Sequence, residues 1–162
     1  QAQARLHLLG GGVLKDALRE QVARLGLTDQ VVFHGRVGDV DMVQAIQRSR
    51  VSVSIPKSDA TSVSVLESMA CGLPIIASDL PANHQWLDQR GGFLVPVGDG
   101  AAVTQALLTV HDVPSQAHEM GVFNHHRIER EASRRGQMDA MWRLYQKLLM
   151  PTNTKVRDKA RA

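Results

Sequence analysis

Asp59 and Glu67 stand eight positions apart in the stretch "SDATSVSVLESMACGLPIIASD" (residues 58–79), separated by small, hydroxyl-bearing and apolar residues. Thr61 and Ser62 are residue types that begin helices, and a helix start leaves backbone N–H groups free to bind an anion such as a phosphate. Beyond them Ser64, Glu67, Ser68 and Cys71 fall on one helical stripe, while Val63, Leu66 and Ala70 face elsewhere. Glu67 is thus displayed about one and a half turns past the anion-binding end. A carboxylate there can accept two hydrogen bonds from a vicinal diol, as a ribose presents. Asp59, in the loop ahead of the helix, could serve a second set of hydroxyls. The same residues also fit a purely structural pattern. Ser64-Val65-Leu66-Glu67 matches the S-x-x-E capping box, and Asp59 could simply cap. A helix capped at Ser64 would run only about seven residues before Gly72, leaving its first apolar turn unexplained. Residue types alone leave both readings open.

Other chemistry-bearing residues carry weaker signals. Gly10-Gly11-Gly12 could cradle a phosphate, but as a dinucleotide fingerprint it fails, because Lys15 holds the third glycine position. The run "VVFHG" ends in His34-Gly35 with no acid to hold a ribose, so the bland reading is a tight strand-to-helix turn. Cys71 is the single cysteine, so no intramolecular disulfide can form, and its surroundings read as a small buried thiol. His118, His125 and His126 lie on helical segments without an i, i+4 pair joined to a carboxylate, so no metal is expected. Aromatic residues make up only 4% of the chain, which argues against a stacking platform and hence against a nucleic-acid partner. The net charge of +3 owes part of its value to the last residues, "KVRDKARA". Residues 151–162 are read as a disordered, solvated basic tail. No membrane-length apolar run or signal peptide is present.

The elements that must position these residues alternate in type. Strands are expected at "RLHLLG" (5–10), "VVFHG" (31–35), "VSVSIP" (51–56), "PIIAS" (74–78) and "GFLVPV" (92–97). Helices are expected over Val13–Leu25, Asp41–Arg48 and about Ser62–Cys71. After Gly100 the pattern is wholly helical, with Ala102, Val103, Ala106, Leu107 and Val110 lining one helix and Met138, Met141, Tyr145 and Leu148 the last. Such alternation predicts an α/β fold: a Rossmann-like open parallel sheet with helices on both faces and a helical C-terminal extension. Ligands of open sheets bind beyond the carboxyl ends of the strands. "GGG", "HGRVGD" and "KSDATS" all fall there, so the sequence points to one crevice.

The 58–79 block resembles the signature of retaining, nucleotide-sugar-dependent glycosyltransferases of the two-domain GT-B fold, the glycosyltransferase family 4 group. The flanks "LLGGGVLKDALREQVARLGLTDQVVFHGRV" and "DLPANHQWLDQRGGFLVPVGDGAAVTQAL" are similar to that family too, and the resemblance spans about residues 5–149. It implies that residues 1–150 form the nucleotide-sugar-binding C-terminal half of a GT-B enzyme, lacking its first strand–helix unit. It implies catalytic positions at Asp59 and Glu67, with Asp59 and the amides of Ala60, Thr61, Ser62 and Val63 on the donor sugar and phosphates. Glu67 would hold the ribose, Arg36 and Val37 the nucleobase, and Gly11 and Gly12 the crevice floor. Two departures stand out: Asp59 replaces the commoner Glu of the family, shortening its reach by one methylene, and Gln85 stands where a Glu is frequent. The family's basic element for the leaving diphosphate precedes the first strand seen here, and Lys57 is the nearest basic residue. A departing diphosphate needs fixed cations, so negligible transfer is expected from these residues alone. The implied partners are a nucleotide sugar as donor substrate and a missing N-terminal acceptor domain, with no cofactor or metal. The implied location is cytoplasmic, peripheral at the inner membrane face only through that missing half. The alternative is a non-catalytic nucleotide-sugar-binding module that docks with a separate N-terminal half.

Overall fold

The computed structural model describes residues 4–149, so the expectation for the basic tail at 151–162 lies outside the described residues. The strand and helix alternation is as expected. Strands β1 (Leu6–Leu9), β2 (Val31–Gly35), β3 (Ser52–Ser54), β4 (Ile75–Ser78) and β5 (Gly92–Val95) interleave with helices α1 (Lys15–Arg24), α2 (Asp39–Gln47), α3 (Val63–Ala70) and α4 (Pro81–His84). Three helices close the chain: α5 (Gly100–Asp112), α6 (Pro114–Glu131) and α7 (Arg134–Leu149). Every strand pair is parallel, which fits the α/β class. The hydrogen-bonded ladder is nevertheless divided, with β1 paired to β2 and, separately, β3-β4-β5 in that order. β1, β2, β3 and β5 therefore each keep one edge without a strand partner among the described residues.

Burial follows the same division. No described residue before Ser62 is buried. The apolar side chains of the first layer stay open, with Leu6 at 49% and Leu25 at 61% exposure. The core lies around β4, whose four residues are all buried because β3 and β5 flank it and helices cover it. On one side Val65 and Met69 of α3 pack with Leu73, Ile75, Ala77, Leu87 and Ile128. On the other, Ile76, Val95 and Ala106 form a smaller cluster against α5. Each fully buried aliphatic side chain stabilises the fold by roughly 1.5–3 kcal/mol before entropy is subtracted. Ile46 of α2 packs against the larger cluster and so ties the first layer to the second.

Helix α6 locks the second layer. At Gly121 it passes so close to the end of α3 that an added methyl would collide with the carbonyl oxygen of Gly72. One turn on, the wholly buried Asn124 donates through Nδ2 to the carbonyls of Leu73 and Gly91, each at 2.7 Å. Those residues stand just ahead of β4 and β5, so one amide clamps two parallel strands at their starts. Arg127 adds a polar tie, donating to Gln85 O at 3.0 Å and reaching Asp88 and Glu131. By contrast α7 buries no residue, and Met138, Trp142, Tyr145 and Leu148 remain exposed. No described helix is long and apolar enough to cross a membrane.

Candidate functional site

Within each sheet parallel pairing puts the carboxyl ends of the strands on one side, and the three loops singled out by the sequence follow the carboxyl ends of β1, β2 and β3. Helix α3 begins at Val63, with Ser62 as its N-cap residue and no side-chain hydrogen bond closing that cap. The capping-box pattern is therefore not used: Ser64 lies inside the first turn and its hydroxyl meets that of Ser62 at 3.0 Å. Asp59 does not cap the helix either, and its Oδ1 accepts from the N–H of Ala60 at 2.8 Å. Among the described residues the first turn of α3 thus has no side-chain acceptor, and its N–H groups remain available to an anion.

Glu67 sits half-buried on α3, and its carboxylate has neither a hydrogen bond nor an ion pair among the described residues. Its neighbour on the expected stripe, Ser68, behaves differently. Ser68 is buried, and its hydroxyl donates to Ser52 Oγ at 2.9 Å, pinning α3 to β3. Cys71 is half-buried, and its thiol is pushed above the ordinary value by burial first and by the Glu67 charge second. At neutral pH that thiol stays protonated, which suits packing and not nucleophilic attack. Asp59, Ala60, Thr61 and Val63 are exposed at the open end of the helix, whereas Ser62 is buried. Asp59 and Glu67 form no hydrogen bond with each other.

At the ends of β1 and β2 the glycine turn is stitched across. The N–H of Gly10 donates to Gly35 O at 2.7 Å, and both glycines hold positive φ, +121° and +70°. The Arg36 stem runs over Gly11, where a methyl would lie 3.8 Å from its Cγ. A methyl on Gly35 would lie 4.0 Å from Lys15 Nζ, so that ammonium folds down onto the turn. Nothing stands within 4 Å of a methyl built on Gly12, which leaves open space above the turn. Val37 lines a cleft of about 330 Å³ together with His7, His34, Asp41 and Arg48. Lys57 is exposed and forms no ion pair among the described residues.

The sequence reading missed two features on this side. Helix α4 follows β4, and its His84 Nε2 meets Asp79 Oδ1 at 2.5 Å. Pro81 at the first helical position was the available signal, but four residues are too few to show a period. Lys15, a misfit to a glycine fingerprint in the sequence, is with Val22 one of the two half-buried residues of α1. Among the described residues no three His, Cys, Asp or Glu side chains converge on a metal-sized site.

The family model described as glycosyl transferases group 1 matches residues 1–112. The D-rhamnosyltransferase WbpZ of Pseudomonas aeruginosa is 37% identical over 118 residues, covering 70% of this chain and 31% of that protein. The phosphatidyl-myo-inositol mannosyltransferase of Mycobacterium leprae is 34% identical over 99 residues, covering 59% of this chain and 26% of that one. The chain therefore spans about a third or less of these relatives. Among solved structures, sucrose-phosphate synthase from Thermosynechococcus elongatus superposes with a TM-score of 0.83 at 24% identity, over 89% of this chain and 38% of that one. HepE of Anabaena in complex with UDP gives 0.82 at 17% identity, over 91% and 42%. At those identities the likeness concerns the fold, that of one half of a GT-B glycosyltransferase.

Proposed function

Because the chain belongs to the family of glycosyl transferases group 1, we propose that it is the donor-binding part of an enzyme that moves a hexosyl group from a nucleotide diphosphate sugar to an acceptor with retention of configuration. The observation that carries this is the pairing of an open helix start at Ser62–Val63 with a half-buried, unpartnered Glu67 one and a half turns on. The α3 amides take the diphosphate, Glu67 accepts from the two ribose hydroxyls, and Asp59 accepts from hydroxyls of the sugar. Arg36 and Val37 border the nucleobase, and the turn at Gly11 and Gly12 floors the crevice. HepE, of similar fold, has been solved with UDP, a ligand of the proposed class.

Calorimetric titration of the 162-residue chain with UDP and GDP, beside Glu67→Ala, tests the proposal. Binding by the parent chain and a loss of roughly tenfold or more in the variant is the expected result. Equal binding by both chains, or none by a folded chain, refutes it. A second reading, a module without chemistry of its own that docks onto a separate half, is favoured by one observation. Helix α7 exposes Met138, Trp142, Tyr145 and Leu148 and buries nothing. Detectable sugar transfer by the chain alone would exclude it.

A further inference from the structure

The turn after β4 carries an exposed side-chain pair on a rigid frame. Asp79 directly follows β4, and its Oδ1 meets Nε2 of His84, the last residue of α4, at 2.5 Å. Both side chains are at least half exposed, yet the backbone beneath them is pinned from three directions. The N–H of Asp79 donates to Val95 O at 2.7 Å. The buried Asn83 donates through Nδ2 to Ser78 O at 2.8 Å, and Ser78 Oγ donates to Pro56 O at 2.8 Å. An exposed pair of this kind adds little to stability. The frame therefore fixes the pair in place, and the pair is not what holds the frame.

The same bonds set the pair beside the loop that leads into α3. β3 and β4 are parallel neighbours with Ser54 opposite Ala77, so the turns after them leave the sheet on the same side. The bond from Ser78 to Pro56 joins those turns directly. Asp59 is three residues beyond Pro56, at most about 11 Å of extended chain. Asp79 Oδ2 and His84 Nδ1 have no hydrogen bond among the described residues. With Nε2–H turned to the carboxylate, a neutral imidazole keeps Nδ1 as an acceptor, and the carboxylate only accepts. Two acceptors side by side call for two donors. A phosphate has none to give and would meet a like charge at Asp79, and an apolar group would leave both atoms unpaired. Adjacent hydroxyls of a sugar ring supply both donors. We propose that Asp79 and His84 are a second hydroxyl-binding point, beside that at Asp59, for the transferred sugar of a nucleotide sugar whose diphosphate rests on the start of α3. This rests on the donor-binding reading above and adds the residues after β4 to the sugar end of that site.

The test compares each nucleoside diphosphate with a matching sugar nucleotide, UDP with UDP-glucose and GDP with GDP-mannose. All four are titrated calorimetrically into the 162-residue chain, Asp79→Ala and His84→Ala. Both side chains are exposed, and circular dichroism confirms that each variant folds. The expected result is that each substitution weakens at least one sugar nucleotide by roughly fivefold or more and leaves its diphosphate within about twofold of the parent value. Unchanged affinity for both sugar nucleotides in either variant overturns the inference while leaving the donor-binding reading intact. So does an equal weakening of a diphosphate and its sugar nucleotide, which would place the pair on the nucleotide or in the fold. Binding of a diphosphate by the parent chain with neither sugar nucleotide bound overturns it too. Absence of binding by any of the four removes the donor-binding reading and this inference together, and the parent titration alone distinguishes that outcome.

Discussion

Replacing Asn124 tests how the second layer is held. The side chain is wholly buried, and its Nδ2 is the donor to two backbone carbonyls, Leu73 O and Gly91 O, both at 2.7 Å. Asn124→Ala removes both donors and leaves two buried acceptors unpaired in a site too tight for easy relief. A methyl on Gly91 would already collide with Asn124 Oδ1. At about 1–2 kcal/mol for each lost bond with its stranded acceptor, the variant should lose about 2–4 kcal/mol. Asn124→Asp keeps the shape but turns a donor into an acceptor facing two carbonyl oxygens. The introduced carboxyl is then disfavoured in its charged form, so its pKa in the folded chain lies above the unfolded value of about 3.9. The sign follows. Stability of this variant is highest below that unfolded value and falls as pH rises, until the folded-state pKa is passed. Urea unfolding followed by circular dichroism, at pH 4 and pH 7, measures both effects. The reasoning is refuted if Asn124→Ala costs less than about 0.5 kcal/mol, or if Asn124→Asp is no more sensitive to pH than the parent chain.

Two further substitutions probe charge. Asp88 accepts from Arg90 Nη2 at 2.7 Å and is also approached by Arg127, and these contacts hold its carboxyl below the usual range, the Arg90 hydrogen bond first. Its contribution is present above the unfolded value of about 3.9 and is lost as pH falls through the depressed one. Asp88→Asn should therefore cost about 1 kcal/mol or less at pH 7, given partial exposure, and nothing near pH 2, as read by urea midpoints. The Cys71 thiol, raised by burial and by Glu67, should react slowly with iodoacetamide at pH 7 and faster as pH rises. Glu67→Gln should speed that reaction at fixed pH, and an unchanged rate would contradict the closeness of the two side chains.

What the sequence disclosed follows from how local each signal is. The apolar runs of β4 and β5 and the period of α3 depend on neighbours in the chain, and they stand where expected within a residue or two. The expected strand at 51–56 shortens to Ser52–Ser54, and the helix expected from Val13 begins at Lys15, leaving Val13 fully exposed. The division of the sheet was not legible, because an unpaired edge at β1 or β3 is a property of what lies beside a strand, not within it. The capping box at Ser64–Glu67, one of the two readings left open by residue types, is unused for a related reason. The pattern is local, but the helix starts two residues earlier, with Ser62 in place of Ser64 at its N-cap, and Val65 and Met69 reach the core. Ser68 looked like part of a ligand stripe and instead faces Ser52, a partner sixteen positions away. Asn124 gave no signal at all, since a lone polar residue in α6 shows its worth only when Leu73 and Gly91 are brought to it.

The central claim is that Glu67 holds a ribose diol, and a thermodynamic cycle addresses it directly. Affinities would be measured by calorimetry for UDP and for its 2′,3′-dideoxy analogue, on the parent chain and on Glu67→Gln. Removing the diol should weaken binding to the parent chain by roughly tenfold or more, the worth of one or two hydrogen bonds to a carboxylate. In Glu67→Gln the same removal should cost markedly less, because the partner of the diol has been weakened. Equal losses in both chains would mean that the diol is held elsewhere, and would contradict the placement of the nucleotide across α3.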